Sequence, residues 1–355
     1  MERFAIGLSL LVAGVVAVGS FFSFEHENGF LRFGGSRAEA AGKSTPAGAE
    51  ALQPGRSKTF AAAVLEVRDA AARLTIVPED RADIAVEVSG GGGLPALKAG
   101  LENGALVIDG ELDNQVRSCN RNNDAWTIQV EHLGPVRLES APQITVRAPR
   151  ALAVRVFGAV EGQIGQTQSL QLLQGGCSSV NVDRVAGNLN VQATGSGDVH
   201  AGQVGSAEIT AAGSGDVVLG DVGGALNAVL QGSGGIYSAA VAGPAKLDLR
   251  GSGSLSTGPV AGALTASLAG SGELDVARAQ GALVSLSVAG SGDLRVKDGQ
   301  AERLEVSVAG SGNVDYGGAT RDLDANIAGT GNVRVRQATG AISKSVAGTG
   351  RVIIE

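Results

Sequence analysis

Aromatic side chains are scarce in this chain, 3% of 355 residues, with one Trp and two Tyr. Any core must therefore be built from Val, Leu, Ile and Ala. Cysteine is nearly absent too: Cys119 and Cys177 are the only two, and neither sits in a CxxC pair. The three histidines, His26, His132 and His200, lie far apart. Zinc ligands come in close pairs, so this thin set argues against a zinc centre. No long basic run occurs, and the formal net charge is −7. Nucleic acid demands a basic face and is excluded as a partner. From residue 150 onward no 3.6-residue apolar stripe appears, so no helix is expected there.

Glycine, by contrast, is abundant, with 55 residues. Nine triplets carry much of it: GSG at 195, 213, 232, 251, 270, 290 and 310, then GTG at 329 and 348. Their spacings are 18, 19, 19, 19, 20, 20, 19 and 19 residues. Weaker copies, GCSSVNV at Gly176 and GAVEGQI at Gly158, carry the period back to about residue 150. A fixed period near twenty marks a stacked architecture. Within one unit, Leu264, Ala266, Leu268, Leu274 and Val276 share one parity, and Thr265, Ser267, Glu273 and Asp275 the other. That alternation belongs to strands with one buried face. One unit of this kind cannot bury its own apolar face, whereas stacked units can. The expected fold is all-β, a parallel β-helix or β-solenoid of about eleven coils of roughly 19 residues over 151–355. A string of antiparallel hairpins is the alternative, in which matching positions would not stack. Each GSG is read as a tight corner, where glycine accepts positive φ or close backbone approach. The small hydroxyl between the glycines would form an outward, hydrogen-bonded column.

Chemical readings of the triplets fare poorly. No copy is followed by the lysine of a phosphate loop, and no GSG serine has a glycine two residues before it, as a nucleophile elbow requires. The column after the triplet reads Asp198, Asp216, Gly235, Ser254, Glu273, Asp293, Asn313, Asn332 and Arg351. A calcium ladder would not include Gly, Ser and Arg, so this column is read as solvated. Asp198 and Asp216 would lie one strand apart, and such a pair can divide acid and base roles in glycan cleavage. Sugar clefts usually want aromatic platforms, however, and the repeats hold only Phe157, Tyr237 and Tyr316. No catalytic, cofactor or metal residues are assigned.

Before the repeats, residues 1–24 carry Arg3 and then 21 uncharged residues, Phe4 to Phe24. This segment reads as a signal peptide, with Ala17 and Gly19 at the −3 and −1 places, or as an uncleaved transmembrane anchor. Either reading puts the rest of the chain outside the cytoplasm. Residues 25–57, rich in Ala, Gly, Ser and Pro, read as a flexible tether. Residues 58–150 read as a β-rich cap: RLTIVP, DIAVEV and ALVIDG alternate, and Asn103-Gly104 is a hairpin turn signal. An even cysteine count in an exported chain favours a Cys119–Cys177 disulfide over two buried thiols. It would tie the Asn-rich stretch NQVRSCNRNNDAW to an early coil.

The AGSGD-type coils, together with FAAAVLEVRDAAARLTIVPEDRADIAVEVSG from Phe60, GGGLPALKAGLENGALVIDG and APQITVRAPRALAVRVFGA, resemble the head GIN domain family of autotransporter adhesins. The likeness covers about 58–355, with an apparent insertion near 111–142. It implies an adhesion-type domain and brings no catalytic residues. The chain stops at GTGRVIIE with no translocator barrel after it, a departure from the autotransporter part of the family name. The functional expectation is an exported, non-catalytic binding module of the cell envelope. Its outward columns and the loops at 111–125 would meet a glycan or protein, and membrane contact would come through an uncleaved N-terminus. A carbohydrate-active enzyme is the alternative, and the apolar half-coil RVIIE is an edge where a second copy could pair.

Overall fold

The computed structural model describes residues 46, 48–91, 93–113, 115–122 and 125–355. The expected leader or anchor at 1–24 lies outside the described residues, as does the tether up to residue 45. Among the described residues, no helix is long and apolar enough to cross a membrane. Among these residues every regular element is a strand except one 3-10 turn, Leu138–Ser140.

Eleven strands build the cap and the first full turns: β1 (Glu50–Ala51), β2 (Lys58–Phe60), β3 (Val64–Glu79), β4 (Ile84–Ser89), β5 (Lys98–Glu102), β6 (Ala105–Asp109), β7 (Val116–Asn122), β8 (Ala125–Val130), β9 (Gly134–Arg137), β10 (Gln143–Pro149) and β11 (Ala151–Ile164). Strand β3 is the first rung. One edge of it takes β11 in parallel along both halves; the other takes β6 on its first half and β10 on its second. Antiparallel strands then close that end, β5 and β1 over β6, and β4 and β2 over β10. The cap thus covers an edge that a solenoid must manage. Asn103 and Gly104 both have positive φ and join β5 to β6 with Glu102 opposite Ala105, a two-residue hairpin as expected. Strand pairing is present before residue 58: Glu50 and Ala51 pair with Ala99 and Lys98, and Leu52 joins the core. That correction shortens the expected tether from its C-terminal side.

From β11 onward the chain makes about 11 turns of ~19 residues. The pairing between successive turns is parallel, which settles the choice against hairpins. Register holds residue for residue: Leu264 lies on Ala245 and under Val284, and Gly270 on Gly251 and under Gly290. Leu264, Ala266, Leu268, Leu274 and Val276 are buried, whereas Thr265 and Glu273 are exposed. A narrow third side is held by single bridges through Val204, Val222, Val241 and Val260. That column then shrinks to Ala279 and Gly299. One turn later Tyr316 enters the core fully buried.

The triplets are corners. From Gly232 to Gly348 the first glycine of each has φ between +126° and +155°, where a side chain is strained. At Gly195 and Gly213, outside that region, a Cβ would run into the carbonyl oxygen of the glycine one turn below. The hydroxyls between them, Ser196 through Thr349, are exposed, and no hydrogen bond joins them among the described residues. The hydrogen-bonded column lies two residues further on. Asp198 Oδ1 accepts from the Asp216 N–H at 3.0 Å. Asp293 Oδ1 accepts from Asn313 N and Nδ2 at 3.3 and 2.9 Å, and Asn313 Oδ1 from Asn332 N and Nδ2 at 3.2 Å each.

Candidate functional site

The line of corner glycines runs back from Gly195 through Gly176 and Gly158 to Ala70 on β3. At this first corner Asp69, not glycine, takes the left-handed conformation, with φ +49°. Asp tolerates that region better than most residues, at a cost of roughly 1 kcal/mol or more. The corner is pinned from outside, where the Leu112 N–H donates to the Asp69 carbonyl at 2.9 Å.

The stretch expected as an insertion, 111–142, is a small antiparallel sheet. Strand β8 lies between β7 and β9. Its buried face, Ile128 and Val130 with Leu112 and Leu138, packs on Ala71 and Ala159 of the first two turns. A second apolar cluster therefore sits outside the solenoid wall, where the corner residues are small enough to admit it. Cys119 and Cys177 are disulfide-bonded, with Cα atoms 6.5 Å apart. Cys177 follows Gly176 as Ser196 follows Gly195, and its N–H donates to the Gly158 carbonyl as that of Ser196 does to Gly176. The bridge thus leaves the solenoid through the outward hydroxyl column.

Between this sheet and the corners lies an open groove of about 500 Å³. Val116, Arg117, Ser118 and Cys119 form one wall, Gly176, Cys177, Thr194, Gly195 and Ser196 the other, and Asp69 and Leu112 the floor. The Asp69 carboxyl is half-buried, and burial pushes it up to about 7. A hydrogen bond with the Asp113 carboxyl and the charges of Asp113 and Asp109 push the same way, opposed by Arg68. Near neutrality the Asp69 carboxyl is therefore still partly protonated. At the rim, Arg117 Nη2 donates to Glu131 Oε2 at 2.5 Å. Beside the floor, Arg68 is buried against Asp109 and Glu102, at 3.2 Å each, and Arg155 reaches Glu66 at 3.2 Å. These ion pairs clamp β3 to β6 and β11, and removing one partner would strand a buried charge.

The groove offers hydroxyls, peptide groups, the Arg117 guanidinium and the Asp69 carboxyl, which suits hydrogen bonding to a polar ligand. Among the described residues, no group of three or more His, Cys, Asp or Glu is placed to hold a metal ion. Asp198 and Asp216 do sit on neighbouring turns, but a carboxylate oxygen of Asp198 is committed to the Asp216 backbone. Sequence reasoning named the disulfide and missed Asp69. Nothing in VRDAAAR marks one acid as a corner residue, since that corner precedes the glycine period.

The fold is that of a capped parallel β-solenoid repeat domain with a disulfide-pinned side sheet. The sequence profile of the family described as "Putative auto-transporter adhesin, head GIN domain" matches residues 70–242 and 238–355, and the chain belongs to this family. No curated protein matches the sequence. Among solved structures, a putative adhesin from Parabacteroides distasonis ATCC 8503 is 17% identical, covering 84% of this chain and 96% of that one, with a TM-score of 0.29. A putative lipid binding protein from the same organism is 19% identical, with coverage of 85% and 97% and a TM-score of 0.30. A putative adhesin from Bacteroides fragilis NCTC 9343 is 12% identical, with coverage of 84% and 96% and a TM-score of 0.26.

Proposed function

We propose that this protein is a non-catalytic, adhesion-type binding module that works outside the cytoplasm at the cell envelope. Membership in a family described as an adhesin head carries this reading. Two features of the molecule support it. The outward columns are polar and in register over many turns, a surface suited to extended contact. The groove beside Cys119–Cys177 adds a shaped, hydrogen-bonding site at the capped end. The ligand class that fits this chemistry is a polar polymer, a glycan or an extended protein segment. If the N-terminal apolar segment is retained, it holds the module on the membrane.

The test is a panel of immobilised glycans and matrix proteins probed with the full chain, Arg117→Ala and Ser196→Tyr, the last filling the groove. Binding by the full chain, weakened by Ser196→Tyr, is the expected result. Catalytic turnover of a glycan, abolished by Asp198→Asn with Asp216→Asn, would replace this reading with that of a carbohydrate-active enzyme.

A further inference from the structure

One interior column runs from the first rung to the last described one. It passes through Leu65, Val154, Leu172, Val191, Ile209 and Ala228, each stacked on the one before. Leu247, Ala266, Leu286, Val306 and Ala325 continue it, and every member so far is at most 2% exposed. The next position, opposite Ala325, is Lys344. It stands on the outermost described strand, Ile342–Gly348, flanked by Ile342 and Val346, which are 47% and 45% exposed. Among the described residues that strand pairs on one edge only. Lys344 makes no ion pair among the described residues.

Without the lysine this end would be adhesive. It presents an unpaired strand edge, two inward-column aliphatics and the outward Ile353, which is 38% exposed. A further strand added in register would extend each column by one rung. At the Lys344 position it would also bury an unpaired ammonium within an apolar stack, which is strongly disfavoured. An inward-pointing charge on an edge strand is a known barrier to edge-to-edge pairing.

We infer that Lys344 is a stacking terminator: it bars a second copy of this chain, or any strand without a carboxylate opposite it, from extending the solenoid at the Ile342–Gly348 edge. This barrier concerns the Ile342–Gly348 edge, a different strand from the RVIIE edge at which pairing was expected.

Lys344→Val restores the column and tests this in the full chain. Ser345→Cys is placed in both backgrounds, and a short bis-maleimide reports whether two such edges meet, whatever other contacts the chain makes. The native background should give little cross-linked dimer, and Lys344→Val should associate through this edge at least ~100-fold more tightly. Lys344→Glu should behave as the native protein does, because either sign of charge blocks burial. Ser343→Val, which adds the same aliphatic on the outward face, should change nothing. Efficient cross-linking in the native background would overturn the inference. So would a Lys344→Val protein that melts like the native one and stays unlinked, or a Ser343→Val protein that links equally well.

Discussion

Replacing Gly310 by alanine and, separately, Ser311 by alanine probes a corner one atom at a time. Gly310 has φ +126°, so a side chain there costs about 1–2 kcal/mol in backbone strain. Its new Cβ would also run into the Gly290 carbonyl oxygen. That oxygen cannot easily retreat, because it accepts from the Ser311 and Gly312 N–H groups at 2.9 and 3.0 Å. Overpacking of this kind adds about 1–3 kcal/mol. The total expected for Gly310→Ala is about 2–5 kcal/mol. Ser311→Ala removes an exposed hydroxyl with no protein partner and should stay within about 0.5 kcal/mol. Solenoids open locally, so amide hydrogen exchange is a better assay than one melting temperature. Protection should fall for Ser311 and Gly312 and spread to Thr330 and Gly331, which donate to the Gly310 carbonyl. Equal effects of the two substitutions, or a Gly310→Ala protein with unchanged exchange across these turns, would refute the corner argument.

Three further outcomes follow from the same geometry. Asp69 keeps a proton in the fold between its ordinary value of 3.8 and about 7, while the unfolded chain has released it. Its contribution to stability therefore declines as pH rises through that window and is flat above it, and Asp69→Asn should remove this component from a pH series of urea melts. Reducing Cys119–Cys177, or replacing both by Ala, frees a 58-residue separation; it should cost at most about 4 kcal/mol, with exchange rising in β7–β9 and not in the distal turns. The Tyr316 hydroxyl is buried without a partner, so Tyr316→Phe should be neutral or stabilising by about 1 kcal/mol, whereas Tyr316→Ala should lose about 3–5 kcal/mol by thermal melt.

What the sequence revealed was whatever repeats. The nine triplets fix the period, the parity of Leu264 to Val276 fixes the buried face, and Asn103-Gly104 fixes one hairpin. What it hid depends on single residues standing in for the repeat. Asp69 occupies a glycine-type corner more than forty residues before its hydrogen-bond partner, Asp113, and no periodicity links them. The side sheet β7–β9 is too short for a clear alternation, and its packing relies on Ala71 and Ala159 being small. Lys344 reads as an ordinary surface lysine until register aligns it with eleven apolar residues. The hydroxyl column invited a hydrogen-bonding role that the neighbouring Asp and Asn residues fill instead.

Because every distal turn follows the same path and touches only the turns on either side, its size is a unit of length. Excising one whole repeat rejoins each column without shifting any side chain to the other face, and shortens the structure by a single interstrand step of about 4.8 Å. A lineage that gains or loses repeats in this way adjusts its reach in discrete increments, while the groove and its sulfur bridge at the capped end stay untouched.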